Sequence, residues 1–113
     1  MSDDTSDELA WRAEMTADLT SGDTTRSANA LLELTYDEPD RGWLEDLLLD
    51  QLKPGNDPQL RALAVTCMGH VGRLHRAVSG WIVARLEGLL GDPELDGFAE
   101  NALGDIRHFA TIV

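Results

Sequence analysis

Asn56-Asp57-Pro58-Gln59-Leu60-Arg61-Ala62-Leu63-Ala64-Val65-Thr66-Cys67-Met68-Gly69 and, 35 residues later, Gly91-Asp92-Pro93-Glu94-Leu95-Asp96-Gly97-Phe98-Ala99-Glu100-Asn101-Ala102-Leu103-Gly104 follow one pattern. Each opens on Asp-Pro. The aspartate can cap a helix by accepting a backbone N–H, and proline at the first helical position lacks an N–H that would go unbonded anyway. On a wheel of about 100° per residue with Leu60 at zero, Ala64, Cys67, Val71 and Leu74 fall within about 40° of it. Leu63, Met68 and His75 flank that stripe, which is expected to be buried. Ala62, Thr66, Gly69, Arg73 and Arg76 lie opposite, and His70 sits on the boundary. Leu95, Ala99, Ala102, Ile106 and Phe109 repeat the stripe, and Gly104 falls on Gly69.

The preceding segments correspond too. Trp43, Leu44, Leu48 and Leu52 align with Trp81, Ile82, Leu86 and Leu90 at a spacing of 38, the three extra residues falling in the Lys53-Pro54-Gly55-Asn56 turn. Trp43 and Trp81 are thus expected to pack at matching positions. Helix, turn and helix repeated at this period predicts an all-α fold, a short α-solenoid of two to three helical hairpins. Upstream, residues 23–36 read as a helix capped by Asp23, with Ala28, Leu31, Leu34 and Thr35 on one side. Residues 6–19 supply its partner, since Thr5 and Glu8 have capping-box spacing and Leu9, Ala13 and Leu19 are apolar. Residues 1–5 are expected to be disordered and residues 6–113 to form a single domain.

These segments resemble the second helix of HEAT repeats: an Asp-Pro turn, an Arg soon after, a small Ala facing the neighbouring helix, then Leu-Gly. The resemblance covers about residues 40–109, and the last repeat departs from it by carrying Asp96 where Arg61 stands. The tetratricopeptide pattern has a similar period, but its Trp-Leu-Gly and Tyr signature is missing here. Ala64, Ala99 and Ala102 are expected to let helices approach closely, while Gly69 and Gly104 are expected on the outward face.

Composition narrows the function classes. The 113 residues carry 21 acidic and 9 basic side chains, a formal charge of −12, with 42% apolar residues. That suits one compact core, neither two cores nor a disordered acidic tail. One cysteine, Cys67, allows no internal disulfide. The longest strongly apolar run is Trp81-Ile82-Val83-Ala84, so no membrane-spanning or signal segment is expected, and the chain is read as cytoplasmic. The charge repels phosphate backbones and anionic lipid, so neither nucleic acid nor membrane is an expected partner. Acid is concentrated in residues 1–22 (−5), 37–50 (−5) and 92–108 (−4), whereas residues 57–76 sum to +2. Such an excess either keeps a small domain soluble or selects a basic partner.

Candidate chemistry is sparse. Cys67 and His70 are i,i+3 neighbours and could form a nucleophile and base, but Cys67 lies in the centre of the expected buried stripe, where a thiol packs as a hydrophobe. His70, His75 and His108 lack zinc-site spacing, so no metal is expected. Asp37, Glu38, Asp40, Glu45 and Asp46 could suggest paired acid chemistry or calcium, yet no glycine-centred loop of alternating oxygen ligands is present. Asp40 reads more simply as the N-cap of the helix carrying Trp43. No phosphate-binding glycine loop or Ser-His-Asp arrangement occurs, so neither a catalytic residue nor a cofactor is expected.

A solenoid's second helices would lie side by side and align equivalent positions in rows. Those rows are Thr66 with Asn101, Arg73 with His108, and His70 with Asp105, extended by Tyr36 and Asp37. With an acidic rim of Asp37, Glu38, Asp40 and Glu100, this face suits a basic protein partner. Tyr36-Asp37-Glu38-Pro39-Asp40-Arg41-Gly42-Trp43, Cys67-Met68-Gly69-His70 and Ala99-Glu100-Asn101-Ala102-Leu103-Gly104-Asp105-Ile106 also resemble small free-standing bacterial HEAT-like proteins, some of which resemble toxin-immunity proteins. The resemblance implies a non-enzymatic inhibitor of a basic, nuclease-like toxin domain. An adaptor or assembly subunit would use the same face, whereas a HEAT-type enzyme, such as a phycobilin-lyase-like one, would need a pocket with a committed acid and base.

Overall fold

The computed structural model describes residues 3–113. Its long elements are all helices: α1 (Asp3–Leu19), α2 (Thr24–Asp37), α3 (Arg41–Asp50), α4 (Pro58–His75), α5 (Gly80–Gly88) and α6 (Asp96–Phe109). Two short strands, β1 (Ala77–Val78) and β2 (Thr111–Ile112), follow α4 and α6.

Local chemistry sets most boundaries. Asp23 caps α2 by accepting from Arg26 N at 2.9 Å, Asp40 caps α3 from Trp43 N at 3.0 Å, and Asp57 caps α4 from Gln59 N at 2.8 Å. Pro58 stands at the first position of α4. The Asp92 turn behaves differently. Its carboxylate accepts from Glu94 N and Leu95 N, and Asp96 Oδ1 reaches back to Gly91 N, so one capped turn precedes α6. α1 begins at Asp3, which puts Thr5 inside the helix, not at its cap. Of the stretch expected to be disordered, residues 3–5 belong to α1, and residues 1 and 2 lie outside the described residues.

The helices pack in pairs, α1 on α2, α3 on α4 and α5 on α6, and α4 also packs against both α2 and α6. β1 and β2 pair in parallel, Ala77 opposite Thr111 and Val78 opposite Ile112. Because each strand directly follows its helix, the chain leaves α4 and α6 in the same direction. The segments opened by Asp57 and Asp92 are therefore spatial neighbours. The Cα trace forms a slab of 47 × 32 × 16 Å. Its core is mostly aliphatic, with Leu31, Leu34, Leu44, Leu48, Leu86 and Val71 fully enclosed. Burying each leucine stabilises the fold by about 2 kcal/mol before entropy is counted.

Several expectations change once neighbours are considered. A wheel assigns α4 one buried face, but this helix is covered from several sides, so Val65, Met68, Gly69 and Gly72 are buried along with Leu60, Ala64, Cys67 and Val71. A Cβ on Gly69 would stand 3.0 Å from Ala102 Cα and 3.3 Å from Ala102 Cβ, so this glycine lies at a helix contact and not on the outward face. Its counterpart Gly104 is exposed, and among the described residues nothing lies within 4 Å of a Cβ there. Leu74 is 46% exposed. Just past it, α4 stops at Arg76, which adopts the left-handed conformation (φ 59°) and turns the chain into β1.

Trp81 is 78% exposed, unlike Trp43, which is half-buried beneath Arg12. The short α5 buries only Ile82 and Leu86. Leu89 takes the inward position expected of Leu90. In α1, Leu9 and Ala13 face solvent, while Trp11, Met15 and Leu19 pack against the core.

Candidate polar interaction face

Three alternate helices, α2, α4 and α6, contribute to one polar cluster. Tyr36, near the end of α2, is exposed, and its ring centroid lies 5.6 Å from that of His70 on α4 at a 31° tilt. Arg73, one turn along α4, donates from Nη2 to His70 Nδ1. That bond leaves Nε2 to carry the proton of the neutral imidazole. Asp105 on α6 approaches from the other side, its Oδ2 lying 3.2 Å from where a Gly69 Cβ would be. The close approach of α4 and α6 at Gly69 thus brings Asp105 to the row.

Burial pushes the His70 pKa down, the Arg73 cation pushes it further down, and Asp105 partly opposes them. The imidazole is held below its ordinary range and is neutral near pH 7. Arg73 Nε is buried without a hydrogen-bond partner. Cys67, beneath this face, is fully buried, and burial pushes its thiol up to about 11 against a smaller lowering contribution from Thr35. A thiol in that state is protonated and inaccessible, so Cys67 and His70 do not form a nucleophile and base.

The remaining sequence candidates are dispersed. Thr66 is half-buried and donates back to Ala62 O at 3.3 Å. Glu100, Asn101 and His108 are exposed on α6. The His108 ring packs edge-on against Phe109 at 4.5 Å. Among the described residues no side-chain hydrogen bond joins Asn101 to Thr66 or His108 to Arg73. Asp40 is exposed but engaged as the α3 cap. Asp37 lines a separate cleft of 550 Å³ with Asp7, Glu8, Trp11, Glu38 and Pro39.

Two acids, Glu38, expected on an acidic rim, and Glu45, considered and set aside as part of an acid or calcium cluster, are structural. Glu38 does not contribute an exposed charge to the rim: it is buried, accepts from Arg12 Nε and Nη2 at 2.8 and 2.7 Å, and accepts from Asp40 N at 2.9 Å. Burial pushes its carboxyl up, but the Arg12 and Asp40 hydrogen bonds outweigh burial and hold it below the ordinary glutamate range. Glu45, also buried, accepts from Ser79 N, Ser79 Oγ and Arg41 Nη1 at 2.9, 2.6 and 2.9 Å, tying α3 to the start of α5. These partners lie 26 and 34 residues away in Arg12 and Ser79, beyond any local spacing rule. Among the described residues no three His, Cys, Asp or Glu side chains converge to hold a metal, and no helix is long and apolar enough to cross a membrane.

No family model matches the chain, and no curated protein or solved structure matches it significantly.

Proposed function

We propose that the chain is a short α-solenoid of three HEAT-like hairpins whose second-helix face binds a basic protein, and that this partner is a nuclease-like toxin domain neutralised by it as an immunity protein. The observation that carries the reading is the Tyr36, His70 and Asp105 row contributed by α2, α4 and α6. An aromatic ring, a neutral imidazole and a carboxylate side by side offer stacking, hydrogen bonding and charge to one ligand surface. Asp37, Asp40 and Glu100 add exposed acids elsewhere on the surface.

Electrostatics favours the same partner class. A surface that grips nucleic acid is basic because it must neutralise phosphate. A chain of net charge −12 is drawn to such a surface and accelerates encounter with it. The two longer dimensions of the slab, 47 × 32 Å, accommodate the roughly 800 Å² per partner of a standard interface. The buried, protonated Cys67 contributes no nucleophile to the face.

The test pairs the chain with the product of a neighbouring toxin-domain gene in its native genome and measures binding and residual nuclease activity. A variant combining Asp37→Lys, Glu100→Lys and Asp105→Lys with Asp40→Asn, which keeps a capping side chain on α3, is expected to weaken binding with helical circular dichroism intact. Unchanged affinity removes the electrostatic reading. Tight binding to a basic protein with no loss of that protein's activity identifies an adaptor instead.

A further inference from the structure

We propose that the cleft between α1 and the turn joining α2 to α3 receives an arginine side chain of the basic partner, an inference that rests on the binding role above and locates one of its contacts. The cleft has a volume of 550 Å³, with Trp11 and Pro39 as its apolar lining and Asp7, Glu8, Asp37 and Glu38 as its acids. Glu38 is already committed to Arg12. Among the described residues Asp7, Glu8 and Asp37 have no ion-pair partner.

The molecule contains its own template for the occupant. One residue along α1 from Trp11, the Arg12 guanidinium lies 4.2 Å from the Trp43 ring centroid and donates two bonds to Glu38. An indole face and a carboxylate together satisfy both aspects of a guanidinium, its flat cationic surface and its donor fork. Trp11 with Asp7, Glu8 and Asp37 offers the same pair of functions around open space. A purely apolar side chain would desolvate three carboxylates without compensation. A lysine ammonium would meet the charge but lacks the flat face and the fork.

The test is a heteronuclear NMR titration of the full chain, following the Trp11 indole N–H with the peptide acetyl-Gly-Arg-Arg-Gly-amide. Counterparts carrying citrulline or lysine in place of arginine serve as controls. A saturable Trp11 shift is expected, with affinity weakened about tenfold by citrulline and severalfold by lysine. The variant Asp7→Asn, Glu8→Gln, Asp37→Asn should weaken arginine binding about tenfold while leaving the helices intact. A Trp11 resonance that stays still, equal binding of the citrulline or lysine peptide, or full affinity in the triple variant would each overturn the proposal. Binding of a basic protein that leaves Trp11 unmoved also overturns it, yet leaves the immunity reading standing. A Trp11 response to the arginine peptide, with no toxin domain bound by the chain, supports the cleft and removes that reading.

Discussion

Alanine at Gly69 and alanine at Gly104 are chemically identical changes at repeat-equivalent positions, and the packing of α4 on α6 predicts opposite outcomes. In a helix interior, Gly→Ala alone stabilises by about 1 kcal/mol, because glycine loses more backbone entropy on folding. At Gly104 the new methyl meets nothing within 4 Å, so the full gain should appear. At Gly69 it would meet Ala102 Cα at 3.0 Å and Ala102 Cβ at 3.3 Å. Neither atom can rotate away, so α6 must retreat by a few tenths of an ångström along its contact with α4. Overpacking of this kind costs about 1–3 kcal/mol, leaving Gly69→Ala destabilised by about 1 kcal/mol. For a domain of this size that is a fall in melting temperature of about 4 °C, against a rise of about 4 °C for Gly104→Ala. Thermal and urea unfolding followed by circular dichroism measures both. If Gly69→Ala proves as stabilising as Gly104→Ala, α4 and α6 do not touch there, and the alignment of Asp105 with His70 fails with it.

Removing the buried Glu45 carboxylate strips acceptors from Ser79 and Arg41, so Glu45→Ala should lower stability by about 3 kcal/mol and Glu45→Gln by less, read from urea midpoints. Titration links stability to pH in two windows. Glu38 is held below its ordinary range in the fold, so its contribution is present above about pH 4.3 and lost as pH falls through the lower folded value; His70 is likewise depressed, so stability also declines below about pH 6.5. Melting curves across pH check both, and His70→Asn should flatten the upper window only. Cys67, buried and pushed up to about 11, should resist a disulfide-exchange reagent at neutral pH in the native state and react promptly in denaturant, so its labelling rate reports opening around α4.

The parts of this fold legible in the sequence are those decided within a turn of helix. Asp23, Asp40 and Asp57 cap where their spacing says they should, because a cap needs only a carboxylate and an N–H two or three residues on. The Leu60, Ala64, Cys67 and Val71 stripe was readable for the same reason. What depends on neighbours was not. Gly69 and Gly104 look alike in sequence and differ because only one has a helix packed over it. Trp81 matches Trp43 by spacing, yet no Arg12 lies across it. In the candidate site, His70 and Asp105 stand 35 residues apart, the spacing of the two Asp-Pro segments, whereas Tyr36, 34 residues before His70, joins them only by extending the rows into a first repeat whose register the sequence does not fix. The burial of Glu38 and Glu45 did not, since an acid beside other acids carries no local sign that a distant arginine or serine will enclose it. The β1 and β2 pairing had no signal either: two-residue strands are too short for an alternating pattern to show.

The central position of α4, in contact with α2, α3, α6 and β1, has a consequence for how the molecule breathes. Its amides should exchange with solvent most slowly, with protection fading toward α1 on one side and α5 on the other, so either flank can fray while the middle holds. A ligand that grips Tyr36 and Asp105 together would bind both flanks to that middle, and deuterium uptake should then slow at the two ends of the chain more than at its centre.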